Sequence, residues 1–322
     1  MERDLSRLKN QVFDVLIVGG GIYGACLAWE AASRGLSVAL SEKGDFASGA
    51  SANSLKIIHG GFRYLQSLDL GRVRASLLER QALMRIAPHL VHPLPVLVPA
   101  RGHGLRGREA LAAALRLNDW LGFDRNRNSD PHKRIPPGRM LSAQEAARLV
   151  PGLSTQGWSG GALFYDAQVQ DTERLGLAFL HSASRRGAAL ANYLEGTGFL
   201  RQGNRVQGVQ VEDRMSGERF EIRARQTVVA GGAWIEDLLH RLQGPGRPGA
   251  PGLAKAINLV ASRPVLSQVA VGFPGDNGYR GGGRLLFAVP WRGRTLIGTQ
   301  DGPFRGDPDE LSVAESEIAA LL

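Results

Sequence analysis

Nine consecutive residues combine side chains that suit proton transfer and anion binding. From Lys56 to Tyr64 the sequence reads KIIHGGFRY, which places an ammonium, an imidazole, a guanidinium and a phenol around two glycines. His59 supplies an imidazole, the group most often used to take up a proton near neutral pH. Arg63 can hold a phosphate through its planar guanidinium, and Lys56 adds a point charge. Tyr64 can hydrogen-bond a substrate or orient the histidine.

This run has two interpretations. In the first, it belongs to an active site in which His59 transfers a proton and Arg63 binds an anionic group. In the second, it is a polar loop whose charges face water and whose histidine only satisfies backbone groups. Residue types alone favour neither interpretation.

A glycine pattern near the start of the chain indicates how a cofactor is held. Residues 12–18 (VFDVLIV) predict a short β-strand, which leads directly into a G-x-G-x-x-G pattern at residues 19–24. Residues 25–35 then predict a helix, and a second apolar run ends at Glu42. This order of strand, glycines, helix, strand and acid is that of a dinucleotide-binding β-α-β unit.

The three glycines of the pattern and the acid after the second strand each have a physical role in binding a dinucleotide. Gly19 allows the tight turn, Gly21 lets the backbone approach a pyrophosphate, and Gly24 lets the helix pack close to the strand. The N–H groups and the dipole at the helix N-terminus favour the anion. Glu42 is expected to accept hydrogen bonds from a ribose diol, which favours a ribose without a phosphate. The unit by itself does not distinguish NAD from FAD.

Further stretches suit backbone contact with an extended cofactor. Small polar residues follow Glu42, and much later the apolar run at residues 227–230 leads into two glycines. We expect this second strand-to-glycine element to be a second place where the backbone meets the cofactor. The expected cofactor contacts in these stretches are Ser51, Gly60, Gly61, Gly231, Gly232 and Trp234.

Several segments, in their order along the chain, carry a resemblance to one family of flavoenzymes. The most specific is the K-x-x-H-G-G-x-R-Y run at residues 56–64. The others are DVLIVGGGIYGACLAWEAASRGLSVALSE from Asp14, DAQVQDTERL from Asp166, VVAGGAW from Val228 and PWRGRTLIGTQD from Pro290. In these segments the chain resembles the FAD-dependent glycerol-3-phosphate dehydrogenases, within the flavin oxidoreductases that share the D-amino-acid oxidase fold.

The resemblance implies an α/β fold with two domains. The first is a Rossmann-like FAD-binding domain with a mostly parallel sheet, at residues 12–75 and 155–245. The second is a substrate domain built on an antiparallel sheet, at residues 76–154 and 246–322. Relatives continue well beyond this length, so we expect an N-terminal portion that binds FAD weakly and oxidises substrate poorly or not at all.

The reaction that the resemblance implies is FAD-dependent oxidation of sn-glycerol 3-phosphate to dihydroxyacetone phosphate, by hydride transfer to the flavin. His59 is assigned to proton transfer and Arg63 to the substrate phosphate. Lys56, Tyr64 and Trp291 are expected to bind substrate, although a packed core position is an equal alternative for the tryptophan. The electrons are expected to pass to a quinone or another acceptor.

Two other functions stay open from the sequence. A flavin oxidase of the same fold would act on an amine or another hydroxy compound, with oxygen as the acceptor. A remnant without enzymatic activity would use the β-α-β unit to bind a nucleotide or a partner chain. Release of hydrogen peroxide would identify the first, and a colourless protein that retains an adenine nucleotide would identify the second.

The remaining acidic and thiol residues are not assigned to the chemistry. The spacing of Asp166 and Asp171 from other residues does not indicate that either one orients a base or binds a metal. We therefore interpret them as turn and cap residues. No Cys or His cluster has the spacing of a zinc site, and no metal is expected. Cys26 is the one cysteine, which excludes an internal disulfide and suits a reducing cytoplasm.

The basic charge of the chain is concentrated in one region. Lys and Arg number 39 against 30 Asp and Glu, and residues 101–139 contain nine of the basic and four of the acidic residues. Nucleic-acid binding fits poorly, because no recognition motif accompanies the charge. Within this region residues 109–123 predict a helix. Its expected apolar face consists of Leu111, Ala114, Leu115, Trp120 and Leu121.

This helix has two interpretations. In the first, the helix lies in a membrane interface, which would suit a protein that reduces a membrane quinone. In the second, it covers the substrate domain, and the arginines around it face the solvent. The covering helix is slightly favoured. No run approaches the roughly 18 to 20 apolar residues of a membrane helix, and residues 1–4 lack signal-peptide features. We expect a cytoplasmic protein that at most contacts the inner face of the cytoplasmic membrane. The sequence leaves open whether it forms an oligomer.

Overall fold

Strands and helices alternate over much of the N-terminal half of the chain, and runs of consecutive strands follow in the second half. The computed structural model describes residues 1–104, 107–127, 129–243, 252–266, 268–275 and 284–321. Its α-helices are α1 (Leu5–Asn10), α2 (Ile22–Ser33), α3 (Leu70–Ile86), α4 (Arg108–Leu121), α5 (Ala143–Leu149), α6 (Thr172–Arg185), α7 (Ile235–Gln243) and α8 (Glu315–Leu321). Its β-strands are β1 (Val12–Val18), β2 (Val38–Ser41), β3 (Ile57–Ile58), β4 (Val91–Ala100), β5 (Arg139–Leu141), β6 (Gly160–Val169), β7 (Ala189–Ala191), β8 (Leu194–Gln202), β9 (Arg205–Asp213), β10 (Arg219–Val229), β11 (Leu253–Ala261), β12 (Ala270–Gly275), β13 (Arg284–Trp291) and β14 (Arg294–Phe304). Short 3₁₀ helices lie at Phe62–Ser67, Pro131–Lys133, Gly232–Trp234 and Pro308–Glu310.

The first sheet joins six strands in the order β7-β2-β1-β10-β9-β8. Strands β7, β2, β1 and β10 run parallel, and β9 and β8 extend the sheet in antiparallel pairing. Val15 of β1 pairs with Val38 of β2 on one side and with Gln226 of β10 on the other. Because parallel strands align their carboxyl ends, the residues that follow β1, β2 and β10 meet at one edge of the sheet.

The first sheet owes its core to apolar runs such as VFDVLIV in β1. Phe13 of this strand is fully buried and clusters with Leu8 of α1 and Ile222 of β10. Helix α2 packs against α6, where the rings of Trp29 and Phe179 meet edge to face at 5.5 Å between centroids. These contacts hold the β-α-β unit that the sequence predicts.

The second sheet is mostly antiparallel. Its strands follow the order β11-β14-β13-β12-β4-β6-β3, and β5 also pairs with β6. Strand β4 pairs with β6 from Val91 opposite Val169 to Ala100 opposite Gly160, whereas β12 runs parallel to β4. Strand β6 is buried over nearly its whole length, so its side chains pack on both faces of the sheet. One mostly parallel and one mostly antiparallel sheet confirm the expected α/β fold class.

The chain divides into two compact units, each with one of the sheets. The first comprises Met1–Ser54, Asp171–Leu253 and Pro303–Leu311, and the second comprises Leu55–Gln170, Ala254–Gly302 and Ser312–Leu322. Residues 55–75 and 155–170, which the sequence places in the FAD-binding domain, therefore lie in the second unit. The physical reason is strand pairing, because β3 and β6 are hydrogen-bonded neighbours in the second sheet.

Helix α4 packs one face on the core of the second unit. Leu115 is 3% exposed, and Leu111, Ala114 and Leu121 pack against buried clusters. Trp120, expected on this face, is instead 70% exposed, because five residues after Leu115 the helix has turned by about 140°. The packing supports the covering-helix interpretation. No helix in the described ranges is both long and apolar enough to cross a membrane.

Candidate active site

The turn after β1 brings the two glycine elements of the first unit together. Gly19 has a φ of +114°, and a Cβ atom there would lie 2.4 Å from the carbonyl oxygen of Ala230. The Ala230 N–H in turn donates to the carbonyl oxygen of Val18 at 2.7 Å. The parallel pairing of β1 and β10 thus sets the turn at Gly19 beside Gly231. Both stretches expected to meet the cofactor lie at the same sheet edge.

The N-terminus of α2 lies against a serine hydroxyl. Gly21 is the N-cap and makes no side-chain capping bond, while the N–H of Ile22 donates to the Ser51 hydroxyl at 2.9 Å. A Cβ atom at Gly21 would lie 3.3 Å from the same hydroxyl oxygen. Small groups therefore border this helix end. Backbone N–H groups and a hydroxyl at a helix N-terminus are a donor set that suits a phosphate.

Glu42, immediately after β2, ties the glycine turn to the next strand. Its Oε2 accepts a hydrogen bond from the N–H of Gly20 at 2.6 Å, and its Oε1 accepts one from the N–H of Gly44 at 2.7 Å. Each carboxylate oxygen has a second acceptor position. Glu42 can therefore hold the turn and still accept hydrogen bonds from a ribose diol.

Trp234 closes the second glycine element. Gly232 has a φ of +56° and begins the short 3₁₀ helix that ends at Trp234. The Lys43 ammonium lies 4.1 Å from a ring centroid of this tryptophan and pairs with the Asp309 carboxylate at 2.8 Å. A Cβ atom at Gly49 would lie 3.5 Å from the same ring. The tryptophan thus packs beside the small-residue stretch after Glu42.

In the second unit, His59 follows β3 and lies beside a buried carboxylate. Its Nδ1 atom is 3.3 Å from Oδ2 of Asp166. The histidine side chain is 57% exposed, whereas the aspartate side chain is 7% exposed. The imidazole also lies 6.3 Å, centroid to centroid, from the Phe287 ring. A half-exposed imidazole backed by a buried acid is a common arrangement for a group that transfers protons.

The interpretation of Asp166 as a turn residue is wrong. It lies within β6, where its Oδ1 accepts hydrogen bonds from the N–H of Gly60 at 2.6 Å and from Nη1 of Arg80 at 3.2 Å. The Arg80 side chain is 3% exposed. Asp171, by contrast, is confirmed as a cap, because its side chain accepts a bond from the N–H of Arg174 at the start of α6.

The sequence of β6 contains a signal for a paired role of Asp166. The residues of β6, GGALFYDAQV, contain one formal charge in an otherwise apolar or neutral strand. A charge in a strand buried on both faces must be paired. Arg80 carried no comparable signal, because α3 has charged residues along much of its length.

The surroundings of Asp166 determine its charge state. Burial opposes ionisation, but the hydrogen bond and charge of His59, the charge of Arg80 and the Gly60 N–H outweigh it, so the pKa of the carboxyl lies below its usual value. Burial lowers the pKa of Arg80, yet a guanidinium stays protonated at neutral pH. An ionised carboxylate therefore faces His59.

Arg63 and Tyr64 share a 3₁₀ helix that begins after Gly61. This glycine has a φ of +84°, and a Cβ atom there would lie 3.0 Å from the Cβ of Ser76. The exposed Arg63 guanidinium lies 5.8 Å from the centroid of the Tyr64 ring, and Arg72 lies 5.0 Å from it. Arg72 is also paired with the Asp69 carboxylate at 3.5 Å, so the exposed Arg63 guanidinium is the group of this pair that best suits an anion.

Lys56 and Trp291 meet at a different place in the same unit. Lys56 is buried, and its Nζ lies 5.9 Å from the Trp291 ring centroid. The indole N–H donates to the carbonyl oxygen of Gln170 at 2.7 Å, and the ring packs against a buried cluster of the sheet. This packing supports the alternative of a core position for Trp291. Its role in substrate binding stays a prediction.

Among the described residues, the side-chain contacts of His59 are those to Asp166 and Phe287. None of these contacts joins it to Arg63 or Tyr64. Gly60 and Gly61 are accounted for by packing, since a Cβ atom at Gly60 would lie 2.4 Å from Nη1 of Arg80. Their contact with a cofactor stays a prediction. Within the described ranges no group of three or more His, Cys, Asp or Glu side chains could hold a metal ion.

Comparison with known proteins places these features in one family. The model of the FAD dependent oxidoreductases matches residues 14–322. A glycerol-3-phosphate dehydrogenase of Synechocystis is 34% identical over 326 residues, which cover 99% of this chain and 58% of that protein. An alpha-glycerophosphate oxidase of Streptococcus pneumoniae is 31% identical over 332 residues, which cover 100% of this chain and 52% of that protein. The chain thus spans about half the length of these relatives.

A solved structure shows the same architecture. The glycerol-3-phosphate dehydrogenase of Bacillus halodurans, in complex with FAD, has a TM-score of 0.74 and 27% identity to this chain. The match covers 98% of this chain and 53% of that one. It includes both sheets, the mostly parallel and the mostly antiparallel. With its glycine turn, its two sheets and a family match over nearly its whole length, the chain belongs to the FAD dependent oxidoreductases.

Proposed function

We propose that the chain carries FAD-binding and proton-transferring residues for the oxidation of sn-glycerol 3-phosphate to dihydroxyacetone phosphate. The observation that carries this proposal is the exposed imidazole of His59 against the buried carboxylate of Asp166, within the KIIHGGFRY run. The relatives named as glycerol-3-phosphate dehydrogenase and alpha-glycerophosphate oxidase support the choice of substrate.

The residues of the first unit fit an FAD. The space at Gly21 and the donors at the start of α2 suit its diphosphate, and Glu42 has acceptor positions for its ribose. When bound, FAD supplies the oxidant that takes up the two electrons lost from the substrate carbon. The residues of this unit that would hold it are Gly19, Gly21, Gly24, Glu42, Ser51, Gly231, Gly232 and Trp234.

The residues of the second unit supply the proton chemistry and the charge. Oxidation of a secondary alcohol to a ketone requires loss of the hydroxyl proton, and His59 accepts it while Asp166 stabilises the imidazolium that forms. Arg63 binds the substrate phosphate, with Tyr64 beside it. Lys56 lies at a different place in this unit, against Trp291, and its contact with substrate stays a prediction. Because glycerol has no phosphate group, a guanidinium that binds the phosphate favours glycerol 3-phosphate over glycerol.

An anaerobic titration tests this function. The protein is loaded with excess FAD, separated from free flavin and mixed with sn-glycerol 3-phosphate, and the flavin absorbance band is followed over hours. We expect bleaching with glycerol 3-phosphate and none with glycerol, even if the rate is low. Bleaching by glycine or proline instead would contradict the substrate, and an FAD-loaded protein that no substrate reduces would contradict the enzymatic role.

The electron acceptor is proposed to be a quinone. One relative is named a dehydrogenase, which supports an acceptor other than oxygen, and the other is named an oxidase, which favours oxygen. The substrate-reduced protein is mixed under argon with a water-soluble quinone, and separately with air in a peroxide assay. Rapid reoxidation by the quinone with little peroxide is expected, and the reverse pattern would identify an oxidase.

A contact with a membrane surface belongs to the same proposal, because a quinone acceptor resides in the bilayer. Trp120, in the last turn of α4, and Phe123, just after this helix, are 70% and 78% exposed. The Arg74 guanidinium lies 5.2 Å from the Phe123 ring centroid. Arg74 is also paired with the Asp124 carboxylate at 2.6 Å, so the support for a membrane contact comes from the two exposed aromatic rings, which suit a bilayer interface.

A further inference from the structure

The two carboxylate oxygens of Asp166 have different partners. Oδ1 accepts from the Gly60 N–H at 2.6 Å and from Arg80 Nη1 at 3.2 Å, and Oδ2 lies 3.3 Å from Nδ1 of His59. Two donors thus hold one oxygen in place and turn the other towards the imidazole. The orientation of the carboxylate is determined before any ligand binds.

Arg80 is itself held in place inside the second unit. Its Nη1 also donates to the carbonyl oxygen of Tyr165, the residue before Asp166 in β6. The arginine lies within α3 and is almost fully buried, so its guanidinium has little freedom to move. Gly60 leaves room for it, since a Cβ atom at this residue would lie 2.4 Å from Nη1. The acid, the arginine and the glycine form one packed cluster.

We propose that Asp166, oriented by Arg80 and the Gly60 N–H, is a positioning residue that holds neutral His59 in the tautomer protonated at Nδ1. This inference rests on the proposed function and deepens it. An ionised carboxylate accepts hydrogen bonds and donates none, so a hydrogen bond to Oδ2 requires a proton on Nδ1. The lone pair of the neutral ring then lies on Nε2, which makes Nε2 the atom that accepts the substrate proton.

The tautomer can be read directly in the protein without cofactor or substrate. The chain is labelled with ¹⁵N-histidine, and its long-range ¹H–¹⁵N spectrum is recorded at alkaline pH, where the imidazoles are neutral. The signals of His59 are assigned by their loss in His59→Gln. We expect a protonated-type nitrogen at Nδ1 and an unprotonated-type nitrogen at Nε2. A proton on Nε2 in the wild-type protein would overturn the proposal.

The substitution Asp166→Asn should reverse the tautomer. The amide oxygen must stay on the side of Gly60 and Arg80, because both are donors, so the amide NH₂ faces His59. A donor at this position requires an unprotonated Nδ1, and the proton moves to Nε2. If Asp166 only neutralised Arg80, the variant would lose stability while the His59 tautomer stayed the same, and the proposal would be wrong.

Asp171→Asn is the matched control. This residue caps α6 and accepts from the Arg174 N–H, and the variant should leave the His59 signals unchanged. If Asp166→Asn does not fold, the wild-type spectrum alone still decides the proposal. In protein that reduces flavin with substrate, Asp166→Asn should lower the rate of reduction at saturation by about 100-fold or more and change the half-saturating substrate concentration little.

The ¹⁵N spectrum and the flavin titration test separate claims: the spectrum tests the role of Asp166, and the titration tests the proposed function. A wild-type His59 protonated at Nε2 would overturn the role of Asp166 even if glycerol 3-phosphate bleaches the flavin. A chain that no substrate reduces would contradict the proposed function, while an Nδ1 proton would still establish the orientation of the imidazole by Asp166.

Discussion

Gly24 packs against the backbone of Gly19 so closely that a Cβ atom at residue 24 would lie 1.9 Å from the Gly19 carbonyl oxygen. The first turn of α2 and the end of β1 therefore touch through backbone atoms, and a methyl group has no space between them. The third glycine of the pattern is required by the fold itself, with or without a bound cofactor.

Gly24→Ala should therefore destabilise the protein by about 1–3 kcal/mol or more, because overpacking against backbone cannot be relieved by a side-chain rotation. Thermal and urea unfolding measure the effect. Gly71→Ala, in the first turn of α3, is the control, since the nearest atom to a Cβ there is 3.9 Å away. It should be neutral or stabilising. Equal stability of the two variants would contradict the close packing.

Gly21→Ala separates cofactor binding from folding. A Cβ atom at Gly21 would approach Ser51 Oγ at 3.3 Å, a contact that a small shift relieves. Stability should change by less than about 1 kcal/mol, whereas the affinity for FAD should fall by about 10-fold or more, because the methyl group would enter the space of the diphosphate. Quenching of flavin fluorescence measures the affinity. Unchanged affinity would argue against a phosphate at this position.

His59→Ala and Arg63→Ala should affect different steps in FAD-loaded protein. Loss of the imidazole should lower the rate of flavin reduction by about 10²- to 10⁴-fold, because proton removal lacks its acceptor. Loss of the guanidinium should mainly raise the half-saturating substrate concentration, by about 10- to 100-fold, the worth of one charged hydrogen bond. Single-turnover reduction across substrate concentrations measures both.

Arg85→Ala, which removes an exposed arginine of the last turn of α3, serves as the control for general loss of positive charge. It should leave both quantities close to the wild-type values. Equal activity of the His59 and Arg63 variants with the wild type would refute their assigned roles.

Asp166 should make stability depend on pH in the acid range. Its folded-state pKa lies below the ordinary value, so its stabilisation is fully present above the unfolded pKa of about 3.9 and is lost as the pH falls through the lower folded value. Asp166→Asn should be less stable than wild type at pH 7, and the difference should shrink below about pH 4. Urea unfolding of the wild type and the variant, at pH 7 and below about pH 4, measures this difference in stability. A difference that does not depend on pH would refute the ionised state of Asp166.

Leu115 and Trp120 test the two roles of α4. Leu115→Ala removes a side chain that is 3% exposed, and should cost about 2–5 kcal/mol of unfolding free energy. Trp120→Ala removes one that is 70% exposed, and should change stability by at most about 0.5 kcal/mol. Co-sedimentation with anionic phospholipid vesicles then tests the membrane contact. Binding lost in Trp120→Ala would support it, and no binding by the wild type would refute it.

The glycine turn could be predicted because its causes are local. A strand, a G-x-G-x-x-G pattern, a helix and an acid follow one another within residues 12–42, and each has a known structural effect at that spacing. The domain boundaries could not be placed in the same way. Residues 55–75 follow the β-α-β unit in sequence, but β3 finds its hydrogen-bond partner in β6, more than a hundred residues away.

The sequence by itself made His59 and Arg63 candidates for chemistry, through their residue types and through the family resemblance of the KIIHGGFRY run. Only the tertiary structure decided which groups control the histidine. Asp166 lies 107 residues from His59 and 86 from Arg80, and no local pattern connects them. They meet because β6 pairs with β3 while Arg80 is buried against β6, and a buried carboxylate is stable as an ion only where such donors surround it.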